Sequence, residues 1–561
     1  KTSKKTSKSK YEVWASDQSN SVAGQTSVGV KGSFLWVFDS DGVNNQIDGR
    51  GDAVPLPCSP DKSRGPCDAL DMFPPDLDQI RADGTPTGVQ LSNLNGFGRL
   101  HGVLVDPQNK YVNANFFTPG GAFAGIIDVE TKEAISLFRL TEYTNNSNGR
   151  SLHMSFWTHD GSAIICANLH GKAIERINIR RDSYGAITAV EFDRSASIAL
   201  GKDNNIVEEA TVFAGDNAFG RPLKGSIIGD YSNADLGDLT PNGYCKEDGC
   251  GSSTLPITGR VNNMPICPIT STSGLIYANF GGGGMFVLDD STTPLSIVGE
   301  YDSKTFNGAG CGGMQIDKQV FLNAGVSAGA SGYDQSTFSL YSFNDEGYSD
   351  GPNPINSPPP TVVFKDATNT NTIGNVDGTN EPNPTGQIPG VTTRRDAHGT
   401  IDTENDKYLH VFDRVQNVAE VFNVKTYKRY TYDLTSKDGQ SGRPEDPADA
   451  GACFAKSVAD DENLVPNDPS PDLVSITPDG EYLMIALRGP APVSVAHSAQ
   501  GSCPGVGIIK LTKGGKRGKL VDVIRTTNII DTAPAPNIVG GIQYTGAERS
   551  DVHSAMVVRR E

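Results

Sequence analysis

No stretch of this 561-residue chain approaches the roughly 18 consecutive apolar residues of a membrane-spanning helix, so no helical transmembrane segment is expected. Also missing are a G-x-S-x-G nucleophile elbow, an H-E-x-x-H helix and a spaced Cys/His finger, which argues against serine hydrolase, zincin and zinc-finger chemistry. Positive charge is scarce. With 48 Lys and Arg against 66 Asp and Glu the net charge is −18, a field that repels a phosphate backbone, and no nucleic-acid partner is expected. The exception is residues 1–10, a Lys/Ser/Thr run too poor in apolar surface to fold. It reads as a solvated basic tail, or as a segment docking to an acidic matrix or anionic membrane. The initiator Met is absent as well, as expected of a processed mature chain.

What is plentiful is turn chemistry: 63 Gly and 34 Pro fit many short strands better than long amphipathic helices, and predict an all-β chain. Four segments share one register: LHGVLVDPQNKYVNANFF from Leu100, LHMSFWTHDGSAIICANLHGKAIERINI from Leu152, AHGTIDTENDKYLHVFDRVQNVAEVFNV from Ala397 and PDLVSITPDGEYLMIAL from Pro471. Each is a short strand, a polar turn with Asp, and a second alternating strand, followed by a hairpin where the copy is long enough. Weaker copies start at Asn262 and Ala309. The last segment, SDVHSAMVVRRE from Ser550, supplies a first strand alone, whereas YEVWASDQSNSVAG and GSFLWVFD near the start supply later strands with none before them. Joined, they make a seventh unit. The expected fold is therefore a seven-bladed β-propeller over residues 11–561, closed by pairing the C-terminal strand with N-terminal strands so that no blade edge is left open. Segments 204–259, 345–393 and 437–469, rich in Gly, Pro, Asn and Asp, are expected to be long face loops.

These repeats resemble the YVTN and lactonase-like seven-bladed propellers from about Leu100 to Glu561. Within them NLHGKAIERINI, from Asn168, resembles a segment of the selenium-binding protein and methanethiol oxidase family, a resemblance that implies a metal-dependent propeller oxidase.

The first strand of each blade lines the central channel, so aligned positions should stand around one ring. There the chain places His101, His153, His398 and His553, half of its eight histidines, with Asn263, Cys311 and Asp472 at neighbouring positions of the other blades. Imidazoles converging on one axis suit a Cu, Fe or Zn ion; hydrogen bonding of each to channel water and backbone is the alternative. A four-His ring in a seven-bladed propeller resembles the iron site of carotenoid cleavage oxygenases in number and architecture, although that family's sequence motifs are absent. Asp396 and Asp551, each two residues before a ring histidine, are expected either to orient imidazoles or to cap the entering loops. In DSDGVNNQIDGRGD, the oxygens of Asp39, Asp41, Asn44, Asp48 and Asp52 could wrap a Ca²⁺ ion, or form a plain acidic hairpin loop.

Nine cysteines include the close pairs Cys58/Cys67 and Cys245/Cys250, with Cys453/Cys503 as a candidate third bridge. These bridges and the Asn145-Asn146-Ser147 glycosylation sequon predict a secreted, extracellular glycoprotein. The sequence thus supports three functions: a Cu or Fe oxidoreductase acting on a small molecule, a non-catalytic propeller engaging a matrix, cell-wall or polymer partner, and a Ca²⁺-dependent lactonase-like hydrolase.

Overall fold

The computed structural model describes residues 10–19, 33–57, 67–68, 72–73, 78–80, 86–91, 99–118, 121–140, 142–143, 152–169, 173–199, 206–208, 211–214, 265–281, 284–301, 305–306, 308, 310–325, 338–348, 357–365, 395–442, 444–458, 464–492, 500–529 and 544–560. Seven antiparallel sheets form the blades of a β-propeller. Their inner strands are, in order, Leu100–Val105, Leu152–Trp157, Pro265–Thr270, Gly313–Ile316, Ala397–Asp402, Pro471–Ile476 and Val552–Arg560, which we number blades 1 to 7.

Blade 7 closes the ring. Val552–Arg560 pairs antiparallel with Lys10–Asp17 from Asp17↔Val552 to Lys10↔Arg560, and Lys10–Asp17 pairs in turn with Phe34–Asp39. Cys67–Asp68 completes that sheet. Lys10, the last residue of the expected basic tail, belongs to this strand; residues 1–9 lie outside the described residues.

The shared register has a steric origin in the turn between first and second strands. Asn109, Gly161, Gly274, Asp317, Asp406 and Gly480 occupy equivalent turns and all have positive φ, between 53° and 81°. Gly, Asn and Asp tolerate this conformation best. In three of these turns a threonine repeats the same device: Thr158, Thr403 and Thr477 each accept a hydrogen bond through Oγ1 from the backbone N–H five residues on, at 3.0–3.1 Å. Core side chains then fill the spaces between blades; Ile165, Ala167 and Ile174 of blade 2, for example, pack with Ile276, Ala278 and Phe286 of blade 3, all fully buried.

Four expectations change. Thr361–Lys365, inside the expected loop 345–393, is the outer strand of blade 4, and Thr211–Ala214, inside the expected loop 204–259, joins blade 1 together with Asp78–Ile80 and Pro86–Gln90. The 437–469 segment carries a short helix, Ala452–Ala455, tied down by the Cys453–Cys503 disulfide. The acidic segment from Asp39 is no hairpin: Ser40–Ile47 is an α-helix, N-capped by Asp39, whose Oδ1 accepts from Gly42 N at 2.6 Å. Gln46 docks this helix on blade 6 by donating to the Val523 carbonyl at 3.0 Å.

His410 lies in the second strand of blade 5, fully buried, and its imidazole is satisfied as the neutral form. Nε2 donates to the Gly515 carbonyl at 2.8 Å and Nδ1 accepts from the Tyr432 hydroxyl at 3.1 Å. Burial outweighs the Gly515 carbonyl and pushes its pKa down to about 4. Between 6.5 and that value the unfolded chain binds the extra proton, so stability is present above pH 6.5 and is lost as pH falls toward 4, by roughly 3 kcal/mol for this group. Urea midpoints at pH 7.5 and 4.5 should therefore show a smaller acid-induced loss in His410→Gln than in the unsubstituted protein, although the variant starts less stable at pH 7.5.

Candidate metal centre

The channel histidines owe their direction to a repeated irregularity. In blades 1, 2, 5, 6 and 7 the inner strand begins with a register shift at its second residue: His101 is skipped between the pairs Leu100↔Phe116 and Gly102↔Asn115, as is His553 in blade 7, and in blades 2, 5 and 6 His153, His398 and Asp472 are skipped together with the residue that follows. Blade 3 shows the same shift around Ile266 and Cys267. A bulge releases a side chain from the alternation of the sheet and re-aims it, here into the channel. The glycine that follows His101 and His398 is a packing requirement: a Cβ on Gly102 would stand 2.7 Å from Met154 Sδ, and one on Gly399 would collide with the Asp472 carbonyl.

The four expected histidines do come together, each at most 6% exposed. The His101 and His553 rings stack with centroids 3.8 Å apart, His153 stands 4.5 Å from His101, and His398 stands 5.6 Å from His553. Their ligand atoms, however, do not form one four-His set. Among the described residues three of the histidines fall into two clusters, His398/Asp472/His553 and His153/Cys267/Cys311, each with ligand atoms within 4.8 Å of one another, and His101 joins neither. Asp472, expected only near the channel, is thus at the centre of the first cluster. Its Oδ1 lies 3.1 Å from His398 Nε2 and 3.8 Å from His553 Nε2. Ligands of one ion, each about 2.1 Å from it, stand roughly 3.0–3.5 Å apart, so the triad needs only small adjustments to close on a metal.

Charge is arranged to suit. Burial pushes the pKa of all four imidazoles down, in His153 to about 4, so each ring is neutral and keeps a lone pair. His101 Nδ1 faces Gln18 Oε1 at 2.9 Å, an acceptor, which puts the ring proton on Nδ1 and the lone pair on Nε2. Among the described residues, His101 Nε2 and both nitrogens of His553 are buried without a hydrogen-bond partner. Burial opposes ionisation of Asp472, but His398, Arg414 and Arg488 overcome it and hold the carboxyl at about 2.

The two arginines were missing from the sequence reading. Arg414 Nη1 and Arg488 Nη1 both donate to Asp472 Oδ2, at 3.2 and 2.9 Å, and leave Oδ1 to face the imidazoles. Asp396 and Asp551, expected either to orient imidazoles or to cap the entering loops, each pair with one of these arginines. Asp396 Oδ2 accepts from Arg414 Nε at 2.9 Å, and Asp551 accepts from Arg488 Nε and Nη2 at 2.6 and 2.8 Å. Both carboxylates orient the guanidinium groups that clamp Asp472. A signal existed: Arg414 and Arg488 follow His398 and Asp472 by the same sixteen residues, just past the second strands of successive blades.

Cys311, expected as a channel side chain, is bonded to Cys267 across blades 3 and 4. The Cys453–Cys503 bridge is formed, Cys166 is a buried free thiol, and Cys67 is disulfide-bonded. Asn263, Cys58, Cys245, Cys250 and the sequon lie outside the described residues. The carboxylates expected to bind calcium have separate partners: Asp39 caps its helix, Asp48 pairs with Arg50 at 2.7 Å and Asp52 with Lys456 at 3.4 Å. Asp41 stands in the first turn of that helix and Asn44 in its body, and among the described residues these carboxylates form no group with ligand atoms close enough to share an ion.

No protein-family model matches the chain, and no curated protein does. Among solved structures, the periplasmic gluconolactonase of Pseudomonas aeruginosa is 9% identical, with 98% of this chain and 99% of that one covered and a TM-score of 0.42. A protein from Lactobacillus plantarum is 10% identical, covering 98% and 100%, with a TM-score of 0.43. Neither the family models nor the curated proteins support the expected likeness of residues 168–179 to the selenium-binding protein family.

Proposed function

We propose that the protein is a metal-dependent oxidoreductase acting on a small molecule, with iron, or alternatively copper, held in the channel by His398, His553 and Asp472. The observation that carries this reading is that both nitrogens of the buried, neutral His553 imidazole lack a hydrogen-bond partner among the described residues, beside an ionised Asp472. Each such group left unsatisfied costs about 1–3 kcal/mol, which a bound ion offsets. Two histidines and one carboxylate with open positions is a ligand set suited to non-haem Fe(II). The bound ion would supply a redox centre. The chain's own part is to keep the rings neutral, present one carboxylate oxygen and exclude bulk water. The local resemblance to methanethiol oxidases points in the same direction. A Ca²⁺-dependent hydrolase is less well served, because Ca²⁺ takes six to eight oxygen ligands and two of the three ligands here are imidazoles. A non-catalytic extracellular propeller would need no such cluster. The disulfides Cys267–Cys311 and Cys453–Cys503 support residence in an oxidising compartment, hence secretion.

The test is thermal unfolding of chelator-treated protein before and after adding one equivalent of Fe(II) or Cu(II), followed by dioxygen-uptake assays with small reduced substrates. Metal that binds the native state alone raises Tm with its concentration. The rise should be large in the unsubstituted protein and absent in His398→Ala/His553→Ala. An equal rise in both proteins would remove the channel triad as the site.

A further inference from the structure

The geometry points to a second metal site, gated by thiol redox state, in which His153, Cys267 and Cys311 take a thiophilic ion such as Zn²⁺ or Cu⁺ once the Cys267–Cys311 bond is reduced. The three side chains come from separate blades, 2, 3 and 4, and all are buried. His153 Nδ1 stands 3.8 Å from Cys267 Sγ and 3.7 Å from Cys311 Sγ, so one nitrogen faces both sulfurs at nearly equal distance. In a tetrahedral site with Zn–N of about 2.1 Å and Zn–S of about 2.3 Å, nitrogen and sulfur stand roughly 3.6 Å apart and the two sulfurs roughly 3.8 Å apart. The nitrogen-to-sulfur spacings already match. Only the sulfur-to-sulfur spacing is wrong, and cleavage of the bond between them is the event that lets it open.

The Ile266 carbonyl oxygen, 3.0 Å from His153 Nδ1, borders the same space and now accepts the Nδ1 proton. An ion entering takes that proton's place, with the carbonyl within reach as a fourth donor. Asn279 holds the frame: its Nδ2 donates to the Cys267 carbonyl at 3.1 Å and to the Gly310 carbonyl at 2.9 Å, linking the two cysteine-bearing segments. The chemistry balances as thiol–disulfide exchange. A dithiol delivers two electrons and its two protons to the sulfur–sulfur bond and leaves as its own disulfide; a phosphine delivers two electrons and leaves as its oxide, one water supplying the oxygen and the two protons of the thiols. The ion then binds both thiolates, releasing the two thiol protons, while the Nδ1 proton moves to Nε2.

The experiment uses the full chain, oxidised or reduced with a trialkylphosphine, with Co²⁺ as probe. Reduced protein should take up one Co²⁺ with an intense thiolate-to-cobalt charge-transfer band, and oxidised protein none with that band. The band should be lost in Cys267→Ser/Cys311→Ser and retained in Cys453→Ser/Cys503→Ser and in His398→Ala/His553→Ala, which separates this site from the channel triad whichever way that one turns out. In reduced unsubstituted protein, Zn²⁺ should slow alkylation of Cys267 and Cys311 at least tenfold relative to Cys453 and Cys503, a readout that needs no variant to fold. A phosphine that cannot reduce the bond in folded protein, reduced protein without the band, or equal alkylation with and without Zn²⁺ would each overturn the proposal.

Discussion

Ending the chain at Ser550 should abolish the cooperatively folded state, although only eleven of 561 residues are removed. The deletion takes away the inner strand of blade 7, and with it the whole register from Asp17↔Val552 to Lys10↔Arg560. Val552, Ala555, Met556, Val557 and Val558 leave the core between blades, where each is at most 9% exposed. At about 1.5–3 kcal/mol for each large apolar side chain, their loss alone is comparable with the 5–15 kcal/mol of a typical domain. Lys10–Asp17 would in addition expose an unpaired edge running through Trp14, a template for aggregation. The expected outcome is an insoluble chain, or a soluble one without a sigmoidal urea transition. A truncated protein with an unchanged transition would show that the ring does not depend on this closure.

Arg488→Ala should be the most damaging single substitution, costing about 3–5 kcal/mol, because it leaves buried carboxylates without their partner. Arg488 has no exposed surface and binds Asp551 through two nitrogens and Asp472 through a third. Removing it deprives Asp551 of its guanidinium fork and takes away one of the cations that offset burial at Asp472, whose pKa then moves up. Arg488→Lys can restore one contact but not the fork, and should fall between. Paired replacement, Arg488→Met with Asp551→Asn, should recover part of the loss because no bare charge remains at that position. Urea denaturation at pH 7.5 decides the order. A cost below about 1 kcal/mol for Arg488→Ala would mean that the clamp is not the structural element described.

Much of this architecture was legible. The seventh blade followed from a lone first strand at one end of the chain and later strands without a first at the other, and the shared register came from turns that demand Gly, Asn or Asp. The histidines were found by the same register, since aligned inner-strand residues must meet at the axis. How their nitrogens group was not legible, because the bulge that turns each side chain depends on the pairing of two strands rather than on either alone. Arg414 and Arg488 were readable in principle from their common offset but lie beyond the second strand, where an arginine is ordinarily solvated. Cys267 and Cys311, separated by 44 residues on neighbouring blades, are joined by curvature of the ring, and cysteine spacing alone does not determine connectivity. The helix Ser40–Ile47 read as a loop because Gly42 and two asparagines oppose helix formation; its Asp39 cap and its contact with blade 6 override that.

The central claim is that the channel triad holds a transition metal, and elemental analysis of protein purified without chelators tests it most directly. The account predicts about one Fe or Cu per chain in the unsubstituted protein and less than about a tenth of that in a His398→Ala/His553→Ala variant whose circular dichroism is unchanged. No transition metal in either protein, or the same content in both, would contradict it.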